Sequence, residues 1–101
     1  MEVGRITVDR EALEELCRRH HIRKLSLFGS VLSGTDRAES DVDLLVEFEA
    51  GEAPGLLGLA QIEAELSALL GGRRVDLRTA QDLSLHFREQ VLRTAEVQYA
   101  A

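Results

Sequence analysis

The sequence predicts an α/β domain of the α+β kind, and three observations carry that prediction. Apolar residues recur at helical spacing in three segments, and these alternate with three short runs rich in Val, Leu and Phe, in the order α-β-turn-β-α-β-α. The first two runs are joined only by the short link 29–40, the connection of an antiparallel pair. A whole helix separates the second run from the third, the connection of a parallel, right-handed crossover.

Taken in order, Asp9 is an N-cap and Glu11 falls in the first turn, so that Leu13, Leu16, Cys17 and His20 form one face of a helix over 9–21. His20 and His21 end that helix, where positive charge is favoured, and Cys17 belongs to its core face. "KLSLF", 24–28, alternates as a short strand. Gly29 to Ser40 is rich in turn formers and reads as a turn or loop, with room for one helical turn after Ser30. "DVDLLVEF", 41–48, has a continuous apolar centre, the pattern of a strand buried on both faces. "EAGEAPG", 49–55, holds the only proline, Pro54, and breaks the chain before the next helix. There Leu59, Ile62, Leu66 and Leu69 make one face, Gln61, Glu63, Glu65 and Ser67 the other, and Gly71-Gly72 ends the segment 56–70. Leu56 and Leu57 extend its apolar stripe towards a partner surface. "RRVDLRT", 73–79, is a third strand. Asp82 or Ser84 caps a last helix carrying Phe87, Val91, Leu92 and Ala95, and Tyr99 is packing or tail.

The chain of 101 residues is expected to form one domain, 1–101. Its net charge of −6 argues against a basic face for a nucleic-acid backbone, so no direct nucleic-acid partner is expected. A nucleotide held through a metal is compatible with that charge. The single cysteine, Cys17, permits no intrachain disulfide and points to a reducing, cytoplasmic setting. Residues 1–5 lead into no apolar signal core, and no apolar run is long enough for a membrane span.

The chemistry concentrates in "FGSVLSGTDRAESDVDLLVEF", 28–48. Residues i and i+2 of a strand share a face, so Asp41 and Asp43 project side by side with Cβ atoms about 6–7 Å apart. Two carboxylates that close repel, and a hard divalent cation such as Mg²⁺ is their natural partner. The crossover makes 41–48 and 73–79 neighbours, so Asp76, lodged between Val75 and Leu77, becomes a third carboxylate facing the other two. Three carboxylates on two adjacent strands suit a pair of metal ions in phosphoryl transfer. The blander reading of Asp76 is an edge-strand carboxylate paired with Arg73 or Arg78. Gly29-Ser30 closes a strand and opens a turn, so its backbone N–H groups and the Ser30 hydroxyl can face an anion. Ser40 caps the turn before the carboxylate strand and is placed with Gly29 and Ser30 among the nucleotide-side residues.

Gly29-Ser30, Gly34, Ser40-Asp41-x-Asp43 and Leu44-Leu45-Val46 resemble the core pattern of the DNA polymerase β-type nucleotidyltransferases, and "PGLLGLAQIEAELSALLGGRRVDLRT" and "LRTAEVQYA" resemble the helix, third strand and ending of the minimal members. The likeness spans about residues 9–100. It implies a small mixed sheet with helices packed on it, Asp41 and Asp43 on both of two Mg²⁺ ions, and Asp76 on the ion nearest the nucleophile. It further implies Gly29 and Ser30 on the terminal phosphates of ATP, and a small all-helical HEPN-type partner in a hetero-oligomer. Several such pairs are toxin–antitoxin systems in which AMP passes to a tyrosine of the toxin. The alternative is a catalytically silent antitoxin that neutralises its helical partner by contact. Ser33 stands where many members carry arginine, with Arg37, Lys24 and Arg78 as candidate replacements.

Overall fold

Strand β1 (Glu2–Val3) pairs antiparallel with β2 (Ile6–Thr7), a small hairpin whose two-residue strands are too short to show any alternation in the sequence. The computed structural model describes residues 2–3, 6–28 and 42–101. Helix α1 (Arg10–Arg19) starts where the sequence predicts, because Asp9 Oδ1 accepts the backbone N–H groups of Glu11 at 3.0 Å and Ala12 at 3.3 Å. It buries Leu13, Leu16 and Cys17 and ends in Arg18 and Arg19, which complement the carbonyl end of the helix dipole. His20 caps it, and His21 takes the left-handed φ of 58° that turns the chain into the sheet.

The sheet has four strands in the order β5-β4-β3-β6. Strand β3 (Ile22–Phe28) pairs antiparallel with β4 (Val42–Phe48), as predicted. Helix α2 (Leu56–Leu69) carries the chain to β5 (Val75–Arg78), which pairs with β4 in parallel, as predicted. A single 3₁₀ turn (Ala80–Asp82) leads to helix α3 (Leu85–Thr94), and β6 (Glu96–Ala100) returns antiparallel to β3.

Four expectations change. The strand predicted over 24–28 begins at Ile22, and Leu25 to Phe28 are all buried instead of alternating, because both faces of β3 are covered. The last helix stops at Thr94, and the tail is strand β6, in which Tyr99 packs on the main core. Only Ala95 separates that helix from the strand, so no breaker announces the change. Leu92, expected on the packed face, is half exposed, whereas Val91 is buried. Asp82 caps the 3₁₀ turn instead of α3, and Ser84 O accepts the N–H of Arg88, which puts Ser84 at the start of α3.

Two clusters sandwich the sheet. The larger joins Leu13, Leu16 and Cys17 of α1 and Ile62 and Leu66 of α2 to the inward residues of β3, β4 and β5. Leu59 and Leu69, the other two members of the α2 stripe, pack against its rim. The smaller joins Phe28 and Leu45 to Leu83 and Val91 on the opposite face. Gly58 sits against Pro54, where a Cβ would come within 2.5 Å of the proline ring, so the breaker packs directly on the first turn of α2. Among the described residues no helix is long and apolar enough to cross a membrane.

Candidate active site

The alternation of two strands places the carboxylates. On β4, Val42, Leu44 and Val46 point into the larger cluster, so Asp43 and Leu45 point to the other face. On β5, Val75 and Leu77 are buried in the larger cluster, so Asp76 and Arg78 turn to the other face as well. The parallel register sets Asp43 opposite Asp76 and Leu45 opposite Arg78. Neighbouring strands lie about 4.8 Å apart, so the two half-buried carboxyl side chains are adjacent on one face. Phe28 is the register partner of Asp43 on its other side. The 3₁₀ turn then brings Asp82, Leu83 and Ser84 over this corner. The result is a cleft of about 340 Å³ lined by Phe28, Asp43, Asp76, Arg78, Asp82, Leu83 and Ser84.

Arg78 grips Asp76 with both arms of its fork. Its Nε donates to Oδ1 at 3.1 Å and its Nη2 donates to Oδ2 at 3.2 Å. These bonds and the Asp76 charge hold the guanidinium above its ordinary pKa, with smaller support from Asp82 and Asp43. The sequence left Asp76 open between a metal ligand and a carboxylate paired with Arg73 or Arg78; β5 is an edge strand, and the pair formed is with Arg78. Asp82 Oδ2 accepts the Thr79 N–H at 3.1 Å and the Thr79 hydroxyl at 3.0 Å, and these bonds hold its carboxyl below the usual carboxylate range. Arg88 fixes the same turn from α3, its Nε donating to the carbonyl of Ala80 at 2.6 Å and its Nη2 to that of Leu83 at 3.2 Å.

A second depression of about 370 Å³ opens on the far side of Asp76 and Arg78, walled by Leu56, Leu59, Ala60 and Glu63 of α2. Leu56 on its wall and the next residue, Leu57, are almost fully exposed, 86% and 89%. Glu63 also covers the free edge of β5, its Oε2 accepting the N–H of Leu77 at 2.8 Å.

Of the predicted site residues, Asp43 and Asp76 come together as expected. Asp41, Gly29, Ser30 and Ser40 lie outside the described residues, as do Ser33, Gly34 and Arg37. Lys24 stands opposite Glu47 in the sheet and is absent from the described lining of the cleft, whereas Arg78 lines it. Phe28, Asp82, Leu83 and Ser84 were not foreseen in the site. Only the path of the 3₁₀ turn brings the last three there, and no local pattern encodes it. Among the described residues no group of three or more metal-ligating side chains occurs. The pair Asp43 and Asp76 offers hard oxygen donors across adjacent strands, a donor set that fits a hard divalent cation.

Comparison with known proteins agrees with this geometry. The family model described as "Polymerase beta, Nucleotidyltransferase" matches residues 11–100. MntA of Thermococcus cleftensis, named a protein adenylyltransferase, is 43% identical over 80 residues, covering 79% of this chain and 78% of its own. A solved structure named as a minimal nucleotidyltransferase is 46% identical, covers 85% of both chains and superposes with a TM-score of 0.69. A chain from the complex of the tri-AMPylated Shewanella oneidensis HEPN toxin with its MNT antitoxin shares the fold at 18% identity, with a TM-score of 0.63, covering 91% of this chain and 70% of its own.

Proposed function

The chain belongs to the polymerase β-type nucleotidyltransferase family, and from that premise we propose that it transfers AMP from ATP to a hydroxyl of a protein, with Mg²⁺ as the cation. The acceptor is a tyrosine of a small helical HEPN-type partner, which the transfer silences, and the pair works in the cytoplasm as toxin and antitoxin. The observation that carries this reading is the register of Asp43 against Asp76 in a cleft on the face of the sheet away from the main core. The name of the Thermococcus relative supports a protein as acceptor, and the Shewanella complex supports AMP and a HEPN toxin.

Asp41, Asp43 and Asp76 would hold the cations, Asp41 by its place in the motif. Bound there, divalent ions supply charge neutralisation for the triphosphate and acidify the acceptor hydroxyl. Asp76 borders the depression beneath Leu56 as well as the cleft, which supports its role as the carboxylate that takes the proton of the acceptor hydroxyl. The acceptor oxygen then bonds to the α-phosphorus while the bond to pyrophosphate breaks. By their place in the motif, Gly29 and Ser30 would donate to the terminal phosphates, and Ser40 would serve on the nucleotide side as well. Phe28 and Leu83 give the cleft an apolar wall that limits competing water. The exposed Leu56 and Leu57 suit an acceptor that is itself a folded protein with an apolar face.

One feature favours the contact-only antitoxin: Ser33 replaces the arginine that many members carry. ATP labelled on the α-phosphate decides between the two. The protein is incubated with it, Mg²⁺ and a host extract containing any neighbouring gene product, with Asp41→Asn/Asp43→Asn as control. A labelled band of partner size, lost in the control, establishes transfer. A partner that is bound and silenced without label establishes the contact-only antitoxin.

A further inference from the structure

We infer that Arg78 is a built-in competitor of the catalytic cation: its guanidinium and the divalent ion contend for the same carboxylate, Asp76. The inference rests on the reading of Asp43 and Asp76 as cation ligands. The two-residue spacing on β5 puts Asp76 and Arg78 on one face, and the fork engages both carboxylate oxygens, at 3.1 and 3.2 Å. A Mg²⁺ ion bonds oxygen at about 2.1 Å, so an ion on either oxygen lies within about 5.3 Å of the guanidinium nitrogen on that oxygen. A dication and a guanidinium so close repel, and the arginine must swing aside for the ion to bind well.

The surroundings permit that swing. Arg78 is 46% exposed, and its register partner is the apolar Leu45, which offers it no hydrogen bond. Among the described residues lining the cleft, Arg78 is the cation and Asp43, Asp76 and Asp82 are the anions. The arginine therefore relieves the mutual repulsion of these carboxylates when no ion is present. Arg78 lines the cleft of a chain that carries serine at position 33.

Competition and simple support predict opposite signs. If Arg78 merely positions Asp76, removing it loosens the ligand and weakens cation binding. If it competes, removing it strengthens binding. Mn²⁺ binding to the full chain, followed by electron paramagnetic resonance of the free ion without nucleotide, reads the sign directly. Asp43→Asn is expected to weaken Mn²⁺ binding, and Arg78→Gln to tighten it about three- to tenfold. In the wild-type protein, titration with Mg²⁺ should shift the Arg78 Nε–H resonance as its bonds to Asp76 break. Unchanged or weaker binding in Arg78→Gln, or an Arg78 resonance that stays still while the ion binds, overturns the competitor role. In that case the loss in Asp43→Asn leaves the cation site standing. Binding indifferent to Asp43→Asn overturns the site and the competitor role together.

Discussion

Asp43 sits between Val42 and Leu44, both buried, and beside a second carboxylate on the next strand. A side chain there costs stability unless it has a task, because it desolvates a charge next to a like charge. The fork of Arg78 on Asp76 limits that cost, and an amide at position 43 would remove the like-charge repulsion altogether. Asp43→Asn is therefore expected to keep the melting midpoint within about 2 °C or raise it, while AMP transfer falls at least about 100-fold. Circular dichroism and the labelled-ATP assay measure the two halves, and a collapsed melting curve would reassign Asp43 to structure. Glu63 gives the contrasting case of a carboxylate with a purely structural partner, the edge N–H of Leu77.

Between elements, the join of α1 to α2 depends on Glu65. Arg19 Nη1 donates to its Oε1 at 2.8 Å, and His20 Nε2 lies 3.0 Å from its Oε2. Desolvation alone would raise this carboxyl, but the bonds from Arg19 and His20 outweigh it and hold the pKa below its usual 4.5. The unfolded chain therefore takes up the proton first as pH falls. The stabilisation is whole above about pH 4.5 and disappears as pH drops through the lower folded value. Urea titration should show wild type ahead of Glu65→Gln by about 0.5 kcal/mol at neutral pH, with the gap closing in acid. An equal gap at both pH values would remove the ion pair from the account. The end of α2 is set by backbone chemistry: Gly72 has φ of +88°, and its N–H donates to the carbonyl of Ser67 at 2.8 Å. A Cβ there meets nothing within 4 Å, so Gly72→Ala should cost about 1 kcal/mol by backbone strain alone. A stability equal to wild type would show that the turn can relax.

At the scale of the molecule, β6 closes the sheet on the side away from β5. It covers the edge of β3, the strand that supplies Leu25 and Leu27 to the main core, and Tyr99 packs over the same cluster. Removing residues 96–101 would bare that edge and also delete the bond from Ala101 N–H to the Arg23 carbonyl at 2.9 Å. The truncated chain is expected to lose at least about 3 kcal/mol of the roughly 5–15 kcal/mol typical of such domains, and to aggregate through the exposed strand. Thermal melting and gel filtration test this, and a monomer with native stability would show β6 to be dispensable.

Helical periodicity determined α1 and α2, and short apolar runs bounded by turn formers determined β4 and β5. The connections pointed to the strand directions, since a turn-rich link favours an antiparallel pair and a whole intervening helix a parallel one. The crossover made the two strands neighbours, so the sequence alone already set Asp76 facing Asp43. The tertiary structure alone chose Arg78 over Arg73 as the partner of Asp76, because which arginine points to that face depends on the exact span of β5. It alone brought Asp82, Leu83 and Ser84 to the cleft and made the tail a strand. A turn that folds back, and an edge held by hydrogen bonds to a distant strand, draw their stability from residues far along the chain.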